Sequence, residues 1–108
     1  MEFMKLKGRV TLSDDYEPSY LHKKIVAPLS NLTFRLDETA VAIRKKDNQL
    51  WLFGDGYVDP KEANQVLKIL KRINNVCNEN YVLKTSYFRQ DLTIYFENFD
   101  VDDCYSMA

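Results

Sequence analysis

The sequence predicts an α+β domain: a mainly antiparallel sheet of about five to six strands, with one long helix over residues 60–77 packed across one face. Residues 59–77 repeat apolar side chains at helical spacing, whereas the segments before and after them alternate with a period of two. The connections between the alternating segments are short, which favours antiparallel neighbours.

The helix has the clearest signals. Asp59 stands where an N-cap belongs, Pro60 takes the first helical position, and Glu62 has the spacing of a capping box, able to reach back to the cap backbone. Ala63, Val66, Leu67, Ile69, Leu70, Ile73, Val76 and Cys77 cover one half of its circumference. The other half is polar, and Asn78 or Asn80 is placed to end it in a left-handed conformation.

In chain order, Met4, Leu6, Gly8, Val10 and Leu12 alternate with Lys5, Lys7, Arg9 and Thr11, a strand with one basic side. Residues 13–17 are an acidic turn. Residues 18–27 fit either a short helix, which Pro28 would stop, or a short strand at Ile25 and Val26. Residues 31–58 read as a three-strand meander, with turns at Asp37-Glu38 and Asp47-Asn48 and a last strand over residues 49–58. Gly54 and Gly56 suggest a bend or bulge before the helix. A hairpin over residues 81–99 turns at Arg89-Gln90-Asp91, and residues 100–108 are an acidic tail.

With 108 residues and a net charge of −1, the chain reads as a single domain with an ordinary globular balance. Met1–Phe3 includes Glu-Phe, as a common cloning site encodes, so Met4 is a candidate native start. No apolar run approaches the roughly 20 residues of a membrane span. A membrane partner is therefore not expected, and a reducing cytoplasm is the expected setting. Two cysteines are too few for a disulfide framework.

Catalytic signals are weak. His22 is the sole histidine and sits in a polar stretch, which removes paired-His metal sites. Cys77 lies on the helix's apolar face, and Cys104 is flanked by Asp102 and Asp103, which raise a thiol pKa. Asp55, Asp59 and Glu62 lack the ligand set of a calcium loop, and the carboxylates at 14, 15 and 17 read as a solvated turn. No catalytic residue, metal site or cofactor is assigned, although paired carboxylates of a small hydrolase stand as a third reading.

Aromatic residues are in surplus, with seven Tyr, six Phe and one Trp. One helix covers one face of a sheet, yet Trp51 and Phe53 lie opposite Leu50 and Leu52, and Tyr95 and Phe99 lie opposite Leu92 and Ile94. The expected activity is that of a small non-catalytic binding protein (an inhibitor, adaptor or accessory factor) using Trp51, Phe53, Tyr95 and Phe99 with the acidic Asp100, Asp102 and Asp103. Its partner is another protein or a second copy of the chain. The alternative is nucleic-acid binding through Arg44, Lys45 and Lys46 with Lys61, Lys68, Lys71 and Arg72 on the helix. The slightly negative net charge weighs against that alternative.

Overall fold

A computed structural model describes residues 2–36, 42–44, 48–89 and 91–96. Four full strands form one sheet: β1 (Glu2–Thr11), β4 (Gln49–Val58), β5 (Leu83–Phe88) and β6 (Asp91–Phe96), in the order β4-β1-β6-β5. Two short segments, β2 (Arg35–Leu36) and β3 (Ala42–Arg44), pair along the outer edge of β4. They occupy successive stretches of one edge, so the expected meander is corrected to two pieces in one lane.

The predicted architecture is corrected in two respects. The sheet is mixed, not mainly antiparallel. β1 and β4 pair antiparallel over ten residues, but β1 and β6 pair parallel from Met4↔Leu92 to Lys7↔Tyr95. The cause is the long helix, Pro60–Lys71, which carries the chain from β4 to β5 past the two strands lying between them. β5 therefore runs in the same direction as β4, and the β5–β6 hairpin returns β6 alongside β1. A parallel pair requires such a long crossover, and a reading of local turns does not anticipate it.

The second correction is a second helix. Residues 18–30 are helical throughout: an α-turn Pro18–Leu21, a π-helical stretch His22–Val26 and a further α-turn Ala27–Ser30. Pro28 does not stop this helix. In the widened stretch the Ala27 N–H donates to the His22 carbonyl, five residues back, and Pro28 falls in the first turn of the segment that follows. The Lys24 carbonyl, the acceptor an ordinary residue at 28 would use, accepts instead from Arg72 Nη1 at 2.9 Å. One guanidinium thus satisfies what a proline leaves open and ties the two helices together.

The long helix starts as predicted and ends earlier. Asp59 Oδ1 accepts from the Glu62 N–H at 2.8 Å. The Glu62 carboxylate does not turn back to the cap, as a complete capping box would require. Its Oε1 accepts from the Thr33 N–H and, at 3.1 Å, from the Phe34 N–H, which pins the segment before β2. After Lys71 the helix tightens to a 3-10 turn, Arg72–Asn75, and stops at Val76, short of residue 77. Neither Asn78 nor Asn80 adopts a left-handed conformation; among the described non-glycine residues Asn48 and Arg89 do, in the β3–β4 and β5–β6 turns.

Both helices cover the same face of the sheet. Met4, Leu6, Val10, Leu50, Leu52, Ile94 and Phe96 from the strands meet Leu21, Ile25 and Leu29 from the first helix and Val66, Leu70 and Ile73 from the second. Gly54 belongs to this packing and marks no bulge, because β1 and β4 pair one to one through it. A Cβ at Gly54 would lie 2.3 Å from Phe34 Cζ and 2.7 Å from the Arg35 carbonyl oxygen, so the residue is small to admit Phe34. The far end of β1 is held by side chains: Asn48 Nδ2 donates to the Leu12 and Ser13 carbonyls at 3.1 and 3.0 Å, and the Thr11 N–H donates to Tyr81 Oη at 3.1 Å.

Candidate functional site

Alternation along each strand delivers a second set of side chains to the face the helices leave open. From β1 these are Phe3, Lys5, Lys7, Arg9 and Thr11, and from β4 Gln49, Trp51, Phe53, Asp55 and Tyr57. The register puts them side by side as Phe3↔Tyr57, Lys5↔Asp55, Lys7↔Phe53 and Arg9↔Trp51. β6 adds Thr93 beside Lys5 and Tyr95 beside Lys7. β5 adds Lys84 opposite Tyr95, Ser86 opposite Thr93 and Phe88 opposite Asp91.

A column of cations therefore runs next to a column of rings. Lys7 Nζ lies 5.4 Å from the centroid of Phe53, the Arg9 guanidinium carbon 5.6 Å from Trp51, and Lys5 Nζ 5.8 Å from Phe3. All three are within cation–π range. The rings also touch one another, Trp51 edge-on to Phe53 at 6.1 Å and Phe3 tilted on Tyr57 at 5.1 Å. Trp51 Nε1 donates to Gln49 Oε1 at 3.3 Å, which fixes the plane of the indole. Lys7, Arg9, Trp51, Phe53 and Lys84 make further interactions as well, so a ligand on this face would exchange contacts with them.

The face has a polar group with no partner at its centre. Thr93 is 1% exposed, and its hydroxyl has no hydrogen bond, alone among buried side-chain polar atoms of the described residues. By register it lies between Lys5 and Ser86. Buried hydroxyls are ordinarily paired.

Of the predicted partner-binding residues, Trp51, Phe53 and Tyr95 are brought together on this face. Phe99, Asp100, Asp102 and Asp103 lie outside the described residues. Of the predicted nucleic-acid set, Lys68, Lys71 and Arg72 lie within about one turn of each other at the end of the long helix. Lys61 and Lys71 stand at opposite ends of the long helix, roughly 15 Å apart along its axis at about 1.5 Å per residue. Arg72 is engaged with the Lys24 carbonyl, Lys45 and Lys46 lie outside the described residues, and Arg44 is described only as part of β3. Tyr57 and the pairing of β1's basic side with the β4 rings escaped sequence reasoning. The signal was the shared period of two, which becomes informative only once β1 and β4 are known to be neighbours.

Cys77 is not poised for thiol chemistry. Burial, reinforced by the Glu79 carboxylate, raises the Cys77 thiol to about 11, the reverse of what a nucleophile needs. His22 is exposed. Among the described residues no group of three or more His, Cys, Asp or Glu could hold a metal ion, and no helix is long and apolar enough to cross a membrane. No family model matches the chain, and no curated protein and no solved structure matches it.

Proposed function

We propose that this chain is a non-catalytic binding protein of the cytoplasm whose working surface is the open face of the sheet. One observation carries the reading: the adjacent rings Trp51 and Phe53, with Tyr57 beyond Asp55, stand beside the cations Arg9, Lys7 and Lys5 on the side of the sheet that neither helix covers. The cost of placing large rings there, where Tyr57 is 64% exposed, is understandable if a partner uses them. The cations specify the partner's chemistry. Among the described residues, Lys5, Lys7, Arg9, Arg35 and Lys84 outnumber Asp55 and Asp91 on this face, so two such surfaces pressed face to face would repel, whereas an acidic partner would be attracted.

Truncation of the rings separates a working surface from a second core. W51A/F53A is expected to leave cooperative unfolding intact, with a loss of about 2 kcal/mol or less for the pair. A loss near the roughly 3–5 kcal/mol expected for each fully buried aromatic would make these rings core and overturn the reading.

A further inference from the structure

Resting on that reading, we infer that the acidic partner is a single-stranded nucleic acid, bound with its bases stacked on the β4 rings and its phosphates along the β1 cations. Single strands are held by flat aromatic side chains beside a track of positive charge, without a deep pocket. The open face has that arrangement. Trp51 and Phe53 occupy alternate positions on β4, and Arg9 and Lys7 face them at the matching positions on β1. Strand geometry fixes both repeats: successive rings, like successive cations, are about 6.8 Å apart along the strand, and the two columns are about 4.8 Å apart across it. A ring column and a charge column running in parallel match a polymer that presents a base and a phosphate at every step.

Tyr95 extends the stacking surface to the far side of Lys7, with Lys84 beyond it on β5. Thr93, 1% exposed between Lys5 and Ser86, lies beneath this surface and takes no part in the contact. Asp55 lies between Lys5 and Arg35 at the Tyr57 end, whereas Lys7 and Arg9 have rings as their neighbours on β4. Duplex DNA is a poor fit, since its bases are already stacked on each other and offer no face to Trp51.

Trp51 is the only tryptophan, so its emission reports on this face directly. The test is titration of the full chain with unlabelled oligothymidylate of roughly 12 nucleotides, within the range of site sizes for single-strand binders. Saturable quenching of Trp51 is expected. Contacts to about three phosphates should give a slope of log affinity on log salt near −2. K7E and R9E should each weaken binding about ten-fold or more, whereas K68E/K71E on the long helix should leave it unchanged.

Absence of quenching at low salt overturns the inference, as does binding abolished by K68E/K71E but indifferent to K7E/R9E. Heparin binding as tightly as the oligonucleotide and quenching Trp51 to the same degree also overturns it, because charge without bases would then suffice. The stability of W51A/F53A distinguishes the two levels of failure. If it is close to that of the parent chain, the open face stands as a docking surface and only the nucleic acid is wrong; if it collapses, both fall.

Discussion

The two faces of the sheet are made from alternate residues of the same strands, yet they obey different rules. On the covered face Met4, Leu6, Leu50 and Leu52 are inaccessible to water and packed by two helices. On the open face Lys5, Lys7, Trp51 and Phe53 are half-buried, and charge lies directly on aromatic rings. A face that served only to close the fold would need neither rings nor a row of like charges. On the proposed reading stability resides on one side and recognition on the other, a division that adjacent residues of one strand can test.

The largest contrast is expected at Leu52 and Phe53, neighbours in β4 with opposite orientations. Leu52→Ala, which empties a fully buried site, should cost about 3 kcal/mol by denaturant unfolding, and Phe53→Ala about 1 kcal/mol. Equal costs would erase the distinction between the faces. Gly54→Ala comes next. Its Cβ would collide with Phe34 and the Arg35 backbone on the covered side, for an expected loss of about 1–3 kcal/mol. A neutral effect in the same measurement would mean that Phe34 is free to withdraw.

Thr93→Val has the opposite sign. Removing a buried hydroxyl that has no partner should raise the unfolding free energy by up to about 1 kcal/mol in denaturant unfolding, and a loss instead would mean that the hydroxyl is satisfied in solution. The smallest effect concerns pH. Cys77 holds its proton to about 11 in the folded chain, above an ordinary 9.0, so folding is favoured fully below pH 9 and loses that contribution as pH rises toward 11. Cys77→Ala should flatten this alkaline decline in melting temperature. An identical decline in the variant would assign it to other groups.

How much of this could be read from the sequence depended on whether the cause was local. Asp59, Pro60 and the apolar repeat that follows announce the long helix because capping and amphipathicity act within a few residues. The bounds of β4 and the turn of the β5–β6 hairpin were legible for the same reason. What was missed depends on distant partners. The parallel pairing of β1 with β6 joins residues almost 90 positions apart. Gly54 looks the same in sequence whether it bends a strand or admits a ring from elsewhere. Pro28 marks the end of a helix by the local rule, which cannot register that an arginine at position 72 takes up the carbonyl it leaves. The candidate site was legible in part: Trp51, Phe53 and Tyr95 stood out as rings on the wrong side of their strands, but the cations beside them joined the candidate site only through the register of β1 with β4.

The most direct test of a division between a structural and a recognising face is the pattern of amide chemical shifts as oligothymidylate is added to the isotopically labelled chain. The expected result is a cluster of perturbed residues at Lys7, Arg9, Trp51, Phe53 and Tyr95, with Lys61, Lys68 and Lys71 of the long helix unmoved. Shifts centred on the helix, with the open face silent at saturation, would contradict it.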